Sequence, residues 1–262
     1  MTGRNIVEAL MPLSTKFRKR IGLIKSIAIY YWKPFNQRRL RKFYSQFISP
    51  GDLCFDIGAH VGNRTQAWLS LGARVIAVEP QPECIKYLKR RFAANHEVTI
   101  VDQAAGSRSG EAILYVSSAN PTVSTLSDEA WRKQMNHDAR YPIFWDRQVQ
   151  VKMTTLDDLI ARYGIPSFCK IDVENAEYEV LLGLSQALPQ LSFEYYPPVM
   201  ENTFRCLERL ESLGSYEFNW SFGESLRLYS AQWVNAEAIG RVLRGYTTRY
   251  QYGDIYARRR HD

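Results

Sequence analysis

A glycine turn between two apolar stretches constrains this chain more than any other feature of its sequence. Residues 53–57 form an apolar strand pattern that leads into a turn holding Gly58 and Gly62, and residues 74–78 form a second apolar pattern that ends at Glu79. This order of strand, turn, helix, strand and acid is typical of a pocket for an adenosine-containing ligand, because the glycines let the backbone approach the ligand and the acid accepts the ribose hydroxyls. Glu79 follows Gly58 by about twenty residues, the spacing that nucleotide-binding units show.

The same turn distinguishes between two kinds of adenosine cofactor. A dinucleotide site has a G-x-G-x-x-G pattern so that the pyrophosphate can lie on the helix N-terminus, whereas this turn keeps only two glycines. Asp56 precedes them at the strand end, where a buried carboxylate repels phosphate and attracts a cationic amino group. The turn therefore favours S-adenosylmethionine over NAD. Asn63 and Thr65, at the start of the following helix, are placed to receive the carboxylate of that cofactor.

One residue of the turn, His60, has two interpretations. A structural histidine is favoured there over a catalytic base, and in both roles it stands beside the bound cofactor. Gln103, which follows the third strand pattern, is added to the predicted site. The predicted cofactor-binding residues are Asp56, Gly58, His60, Gly62, Asn63, Thr65, Glu79 and Gln103.

The composition indicates one large globular domain, or one domain with an appendage. The chain has 262 residues, of which 45% are hydrophobic and 13% aromatic, enough to bury a sizeable core. Its four cysteines are widely spread without a C-x-x-C pair, so we interpret them as buried hydrophobic residues in a reducing compartment. No apolar run reaches transmembrane length, and no small-residue cleavage site follows an apolar core. We therefore expect a cytoplasmic protein without a secretory signal.

The positive charge of the chain is concentrated near its N-terminus. The net charge is +7, yet residues 1–50 hold eleven Lys and Arg against the single acid Glu8, so the remaining residues sum to a small negative charge. Residues 1–49 are therefore predicted to form a basic helical extension. The simplest interpretation is a solvated helix packed beside the core. Contact with the inner face of an anionic membrane is an alternative, and contact with nucleic acid is less favoured.

The rest of the chain alternates between strand and helix patterns. Before the first strand, a helical pattern over residues 38–48 ends at a chain breaker. We expect strands at residues 53–57, 74–78, 97–102, 111–116, 149–153, 168–173, 191–195, 216–221, 226–229 and 250–257. We expect helices near residues 63–71, 82–94, 156–163, 176–188, 201–213 and 235–243. This alternation predicts a mostly parallel sheet with helices on both faces.

A second group of polar residues, at positions 170–177, follows a buried strand pattern. In an open α/β sheet, ligands lie beyond the carboxyl ends of the strands, so Asp172 and Glu174 are expected to face the pocket. The alternative is a structural role, because Glu174 or Asn175 can cap the next helix and Glu177 favours its positive end. We predict Asp172 and Glu174 as catalytic residues.

Five motifs stand in a fixed order along the chain. They are FDIGAHVG at residues 55–62, AVEP at 77–80, AAG with GEA at 104–112, TLDDL at 155–159 and KIDVE at 170–174. In this order the chain resembles the FkbM family of S-adenosylmethionine-dependent methyltransferases over residues 50–200, with weaker similarity to about residue 257. Two positions depart from the family pattern. His60 replaces an asparagine, and Asn175 replaces a glycine in a turn that asparagine can also adopt.

The resemblance implies a class I methyltransferase (Rossmann-like) fold over residues 50–262, with a seven-stranded sheet that is parallel except for one C-terminal antiparallel strand. It also implies methylation of a hydroxyl on a saccharide or on a glycosylated or polyketide small molecule. The enzyme mainly aligns donor and acceptor and removes a hydroxyl proton, for which Asp172 or Glu174 is a suitable base. Glu194, after the next strand, could complete a pair. We expect no metal, although Asp172 with Glu194 leaves a Mg²⁺ site open.

The segment after the strand pattern at residues 111–116 is a candidate lid. Residues 117–125 would cover the pocket, and the aromatic residues that follow could stack on a sugar or pack beneath a long loop. Those residues are Trp131, Tyr141, Phe144 and Trp145. Two other functions remain as alternatives. One is an RNA methyltransferase, suggested by the basic extension, and the other is a non-catalytic module that binds a membrane or a partner.

Overall fold

Strands and helices alternate through the described part of the chain, which comprises residues 15–127, 129–138 and 143–260 of the computed structural model. Its strands are β1 (Leu53–Ile57), β2 (Arg74–Val78), β3 (Val98–Val101), β4 (Ala104–Ala105), β5 (Gly110–Val116), β6 (Arg147–Thr154), β7 (Phe168–Ile171), β8 (Gln190–Tyr195), β9 (Tyr216–Trp220) and β10 (Gly253–Arg259). Its α-helices are α1 (Thr15–Tyr31), α2 (Asn36–Tyr44), α3 (Asn63–Leu69), α4 (Pro82–Arg91), α5 (Glu129–Asp138), α6 (Leu156–Tyr163), α7 (Glu177–Leu182), α8 (Met200–Leu213) and α9 (Ala236–Arg244).

Seven strands form the main sheet, in the order β3-β2-β1-β7-β8-β10-β9. The pairs from β3 to β8 are parallel, and β10 runs antiparallel to both of its neighbours. Every residue of β1 and β7 is buried, as expected for central strands covered by helices on both faces. The predicted sheet, parallel except for one C-terminal strand, is confirmed. Its strand order reverses between β1 and β7, where an open α/β sheet forms its binding crevice.

A second sheet contains three strands in the order β4-β6-β5. β5 and β6 pair antiparallel from Gly110 with Met153 to Val116 with Arg147, and the chain between them crosses the mouth of the crevice. Within that segment, Thr125 forms an isolated antiparallel bridge with Tyr115. The second sheet therefore fixes residues 121–126 above the carboxyl ends of β1 and β2. The sequence predicted strands at 111–116 and 149–153, but gave no sign that they leave the main sheet.

The end of the basic segment is part of the core. Leu40, Phe43 and Tyr44 of α2 are buried against Phe168 of β7 and Tyr256 of β10. The rings of Phe43 and Tyr256 meet edge to face, with centroids 5.4 Å apart. Residues 36–48 thus cover one face of the main sheet, and the proposed domain boundary at residue 49 stays a prediction.

Two predicted elements differ from the structure. The strand expected at residues 226–229 is wrong, because Leu226 has a left-handed backbone, with φ 52°, that an extended strand does not contain. The helix expected to reach residue 188 ends at Leu182. The carbonyl of Gly183, the next residue, accepts a hydrogen bond from the backbone N–H of Asp157. The buried Leu188 packs into the core from an irregular segment and not from a helix.

Candidate active site

A pocket lies beyond the carboxyl ends of β1, β2 and β7, and we call it the donor pocket. Five of the predicted cofactor residues line it: Asp56, Gly58, His60, Asn63 and Glu79. Its roof consists of Tyr30 from α1 and of residues 121–126. The enclosed space is only about 80 Å³, below the roughly 300–1,000 Å³ of typical ligand pockets.

Asp56 joins the end of β1 to the start of α3. Its Oδ2 accepts hydrogen bonds from the backbone N–H of Thr65 (3.1 Å) and from Thr65 Oγ1 (2.5 Å), and both residues are buried. Burial raises the pKa of Asp56, while the Thr65 hydroxyl opposes that shift. One carboxylate oxygen thus accepts hydrogen bonds from the first turn of α3, and the other oxygen can bind a ligand.

Glu79 is held by two backbone groups at the end of β2. Its Oε2 accepts from the N–H of His60 and its Oε1 from the N–H of Gln81, both at 2.8 Å. Burial raises the pKa of Glu79 to about 7, although these two hydrogen bonds favour the ionised form. Each oxygen keeps a second lone pair. The backbone of the turn therefore orients the carboxylate, which can still accept hydrogen bonds from the hydroxyl groups of a ligand.

The turn itself adopts a left-handed backbone at three positions. Gly58 has φ 85°, and a Cβ there would lie 1.9 Å from the carbonyl oxygen of Asp172, so glycine is required by the close approach of β1 and β7. Gly62 has φ 73°, and a Cβ there would lie 2.7 Å from Leu88 of α4. His60 has φ 49°, a conformation in which histidine is enriched among non-glycine residues.

The His60 side chain points into the donor pocket. Its ring meets Tyr30 edge to face at 5.8 Å. Burial lowers the pKa of His60 to about 4, with the nearby Asp172 carboxylate opposing the shift, so the imidazole is neutral at physiological pH. Its Nε2 is buried and has no hydrogen-bond partner among the described residues. Such an atom at the wall of a pocket is available to a ligand.

Three predicted cofactor residues lie outside the pocket lining. Gly62 packs α3 against α4, and Thr65 acts through its hydrogen bonds to Asp56. Gln103 donates from its side-chain amide to the carbonyl of Met153 in the second sheet, at 3.3 Å. A role for Thr65 and Gly62 would thus be indirect, through the position of Asp56 and of the helix.

A network of buried charges surrounds the predicted base Asp172. Lys170 is fully buried, and its Nζ lies 2.7 Å from Asp254 Oδ1 and 3.3 Å from Asp172 Oδ2. Arg64 lies 3.7 Å from the same Asp172 oxygen and 3.5 Å from Glu224. Burial alone would raise the pKa of Asp172, but these two cations outweigh it and hold the pKa below its usual value. Asp172 is thus ionised at neutral pH and a weaker base than an ordinary carboxylate.

Glu174, the other predicted base, stands between the donor pocket and a second cavity. Both Glu174 and Asn175 have positive φ, 56° and 71°. The Glu174 carbonyl accepts from Thr125 Oγ1 (2.7 Å) and Ser127 Oγ (3.2 Å), which ties the pocket roof to this turn. Strained backbone of this kind costs about 1–3 kcal/mol and persists where the surrounding structure enforces it. The turn therefore serves to place the Glu174 side chain at the junction of both cavities.

The second cavity, which we call the acceptor cavity, has a volume of about 450 Å³. Its lining is rich in aromatic and polar side chains drawn from distant parts of the chain. They are Trp131, Met135, Glu174, Asn175, Glu177, Glu194, Tyr195, Tyr196, Val199, Asn202, Thr203, Arg249, Tyr250 and Tyr252. Of the predicted lid aromatics, Trp131 lines this cavity, Trp145 donates to the carbonyl of Val123, Phe144 is exposed, and Tyr141 lies outside the described residues.

Three carboxylates converge where the two cavities meet. Asp172, Glu174 and Glu194 can each place an oxygen within 4.8 Å of the others. Burial raises the pKa of Glu174 and of Glu194, and the charge of Asp172 raises both further. Like charges this close do not all ionise at once, so Glu174 and Glu194 hold their protons to higher pH than exposed glutamates do. The same three oxygens could hold a divalent cation, and they extend the Asp172 and Glu194 pair considered from the sequence.

Sequence reasoning missed several residues of these cavities. Arg64 and Tyr30 carry no motif, and only the fold brings Tyr30 over the turn. Lys170 was part of a recognised motif, and a lysine inside an apolar strand pattern was a signal for a buried ion pair. Tyr196 meets Arg249 and Tyr252 in one cavity although about fifty residues separate it from them in the sequence.

An acid-rich pocket at the strand-order reversal of this seven-stranded sheet defines a class I methyltransferase. The family model described as Methyltransferase FkbM domain matches residues 56–227, more than half of the chain. The chain belongs to the FkbM methyltransferase family. It is an S-adenosylmethionine-dependent methyltransferase, and S-adenosyl-L-methionine is its cofactor.

Solved structures of other methyltransferases resemble the chain at low sequence identity. An O-methyltransferase from Bacillus cereus in complex with SAH is 12% identical, with a TM-score of 0.43, over 97% of this chain and 95% of that one. Precorrin-6y C5,15-methyltransferase from Geobacter metallireducens is 10% identical, with a TM-score of 0.45, over 88% and 92%. A TehB-like SAM-dependent methyltransferase from Corynebacterium glutamicum is 11% identical, with a TM-score of 0.44, over 87% and 94%. No curated protein matches the chain significantly.

Proposed function

We propose that this enzyme methylates a hydroxyl group on a saccharide, or on a glycosylated or polyketide small molecule. The observation that carries the proposal is the position of Glu174, whose side chain lines both the donor pocket and the acceptor cavity. A base at that junction can reach an acceptor hydroxyl directed at the donor. Methyl transfer to oxygen needs alignment and proton removal, and the junction provides both.

The donor pocket suits the charge of its cofactor. Asp56, Glu79, Asp172 and Glu174 all line it, and this acidic wall attracts a cationic amino group and a sulfonium while it repels phosphate. In this proposal Asp56 binds the amino group and Glu79 accepts the ribose hydroxyls. The orphaned Nε2 of His60 gains a partner from the ligand, and Asn63 lies at the helix start that receives the carboxylate.

The acceptor cavity suits a polyhydroxylated molecule with apolar faces. Tyr196, Tyr250 and Tyr252 offer flat surfaces for the C–H faces of a sugar ring, and their hydroxyls can form hydrogen bonds at the edges. Asn202 and Arg249 add polar groups that can bind hydroxyl oxygens. Pockets of this size that combine aromatic walls with a few polar groups bind small molecules. This composition favours a small-molecule acceptor over an RNA strand.

We assign the general base to Glu174, assisted by Glu194. S-adenosylmethionine supplies a methyl group that its sulfonium sulfur already activates. Glu174 takes the proton of the acceptor hydroxyl as the oxygen forms its bond to the methyl carbon and the carbon–sulfur bond breaks, its electron pair going to sulfur. Glu194, whose pKa burial and the charge of Asp172 also raise, is the member of the pair that can stay protonated while Glu174 is ionised. Asp172, held ionised by Lys170 and Arg64, orients the pair and is a positioning residue.

The proposal is tested by incubating the full chain with methyl-labelled S-adenosylmethionine and separate glycan, small-molecule and RNA fractions of a cell extract. We expect label in a glycan or glycosylated fraction, resistant to mild alkali because methyl ethers, unlike methyl esters, survive it. The Glu174→Gln variant should give at least about a hundredfold less label. Label confined to RNA would replace this proposal with the RNA methyltransferase alternative. Failure of the protein to bind S-adenosylhomocysteine in calorimetry would favour the non-catalytic module.

We expect the reaction to proceed without an added metal. Asp172 already has two cationic partners, so a divalent ion at the three carboxylates would compete with Lys170 and Arg64. Label transfer should therefore persist after treatment with EDTA. A loss of transfer that Mg²⁺ or Mn²⁺ restores would assign Asp172, Glu174 and Glu194 as metal ligands instead of a general base and its neighbours.

A further inference from the structure

The helix α1 presents one face to the protein. The hydroxyl of Tyr31 donates to the carbonyl of Val61 in the glycine turn (2.9 Å), and Tyr30 lines the donor pocket. Ser26 is buried on the same side, and Lys25 Nζ donates to Asn120 Oδ1 in the roof segment (2.6 Å). These contacts fix which side of α1 faces outward.

The outward face of α1 and of the turn after it is apolar. The side chains of Ile24, Ile29, Trp32 and Phe35 are 57%, 52%, 73% and 75% exposed. Ile24, the half-buried Ala28 and Trp32 follow one another at four-residue intervals, so they share one side of the helix. Among the described residues, four of the eleven exposed large hydrophobic side chains fall within this twelve-residue stretch. Single exposed hydrophobic residues are ordinary, but a contiguous group marks an interaction surface.

Positive charge surrounds this apolar face. Arg20, Lys25, Lys33, Arg38 and Arg39 are all exposed, and residues 9–51 contain no Asp or Glu. The rest of the chain carries a small net negative charge, so the basic surface is local. A tryptophan and a phenylalanine beside lysines and arginines are typical of helices that lie in the headgroup region of a bilayer.

We propose that the outer face of α1 and the following turn, residues 20–39, docks on an anionic lipid bilayer. Ile24, Ile29, Trp32 and Phe35 insert at the level of the headgroups, and the basic residues bind lipid phosphates. The charge favours anionic lipid, and the exposed aliphatic side chains favour a bilayer over nucleic acid, whose phosphates offer them no apolar partner. The contact is peripheral, since none of the described helices is both long and apolar enough to cross a membrane.

The docked face and the cofactor lie on opposite sides of α1. Lipid binding therefore needs no part of the donor pocket, and changes to the outer face should leave cofactor affinity intact. The docking proposal is independent of the acceptor proposed above. A protein that methylates no saccharide could still bind vesicles, and a protein that binds no vesicles could still methylate a saccharide.

The test is co-sedimentation of the full chain with vesicles of phosphatidylcholine, alone or mixed equally with phosphatidylglycerol. We expect binding to the mixed vesicles only, weakened by salt because the attraction is partly electrostatic. The double variant Ile24→Ser/Trp32→Ser should lower the partition coefficient at least about tenfold, since it removes two inserted apolar side chains. The matched control is Ile165→Ser, because Ile165 is 53% exposed but lies in the loop before β7.

A second pair of variants tests the charge. Arg20→Gln/Lys33→Gln should lower the partition coefficient by about tenfold or more. Arg108→Gln/Lys152→Gln should not; these are two exposed cations, one in the turn before β5 and one in β6. S-adenosylhomocysteine affinity, measured on every variant, should stay within about twofold and so show that each one is folded. Equal binding to both vesicle types, equal losses in the Ile165 control, or salt-sensitive RNA retention without vesicle binding would overturn the proposal.

Discussion

The donor pocket and the acceptor cavity meet at Glu174 but are assembled in different ways. On the donor side, the predicted cofactor residues that line the pocket fall in two short segments, residues 56–63 and 79–81, whose backbone groups bind the side chains that face the ligand. The acceptor side is formed by side chains from α5, β8, α8 and the segment before β10. The donor site is therefore a local backbone structure, whereas the acceptor site depends on how distant elements pack.

This difference has a consequence for specificity. The donor-side glycines and acids are constrained by close contacts, such as that of Gly58 with the Asp172 carbonyl, and few replacements fit. The acceptor-side residues project from a helix, a strand and loops, so their side chains can change without altering the backbone. We infer that the donor half fixes the reaction and that the acceptor half selects the substrate. Mutations on the two sides should then separate cofactor affinity from turnover and from acceptor KM.

The largest effect is expected at the junction. Glu174→Gln removes the proposed base, and the glutamine side chain has nearly the same size. The backbone carbonyl of residue 174 can still accept hydrogen bonds from Thr125 and Ser127. We expect turnover to fall by about 10²–10⁴-fold, the range for loss of a general base, with S-adenosylhomocysteine affinity within about twofold. Labelled methyl transfer and calorimetry measure the two quantities. The matched control is Glu179→Gln on the exposed side of α7. Parallel losses of affinity and turnover would place Glu174 in the donor site alone.

The next effect belongs to the donor side. Glu79→Gln replaces a carboxylate that accepts hydrogen bonds from the backbone N–H groups of His60 and Gln81. The NH₂ group of the new side chain then faces one of these two N–H groups and cannot accept its hydrogen bond. We expect S-adenosylhomocysteine affinity to fall by about 10–150-fold, because hydrogen bonds to a charged group contribute about 1.5–3 kcal/mol. Calorimetry measures the loss. An unchanged affinity would show that Glu79 only supports the turn.

The raised pKa of Glu79 adds a pH signature to that variant. Ribose hydroxyls donate to the ionised carboxylate, and the pKa of about 7 means that this form is lost as the pH falls. Affinity should drop by about tenfold from pH 8 to pH 6 if the ionised form alone binds, and Glu79→Gln should flatten the profile.

The contribution of Glu79 to folding stability has the opposite dependence on pH. A raised folded-state pKa contributes stability below the unfolded value near 4.5, and that contribution is lost as the pH rises through about 7.

A smaller effect is expected in the acceptor cavity. Tyr252→Ala removes one of the flat walls, and we expect the acceptor KM to rise by about three- to tenfold, in line with about 0.5–1.5 kcal/mol for an aromatic contact. Cofactor affinity should not change, because Tyr252 does not line the donor pocket. Tyr229→Ala is the control, since Tyr229 is exposed and stands outside the acceptor lining. A reduced cofactor affinity in Tyr252→Ala would contradict the separation of the two sides.

Five of the eight predicted cofactor residues line the donor pocket, and the sequence could point to this region because its determinants are local. The apolar strands around residues 53–57 and 74–78, the turn and the acid lie within thirty residues of one another, and the main sheet followed from the same alternation. The TLDDL motif has a structural basis as well, since Thr155 and Asp158 form a capping box at the start of α6. The acceptor cavity, the second sheet and the ionised state of Asp172 were not predictable in this way. The state of Asp172 depends on Arg64 reaching it across the fold, and the acceptor cavity depends on Tyr252 packing near Glu194; no spacing in the sequence encodes those contacts.

The smallest effect is expected at the residue where this chain departs from its family. His60→Asn restores the asparagine of the family pattern at a left-handed position that asparagine tolerates, and the N–H of residue 60 still donates to Glu79. We expect cofactor affinity to change by less than about threefold and turnover to change as little, because an imidazole whose pKa is about 4 is a weak base. His60→Ala is the informative control, since alanine at positive φ adds about 1–2 kcal/mol of strain. A loss of turnover in His60→Asn with intact cofactor affinity would move the base from the acceptor junction to the glycine turn.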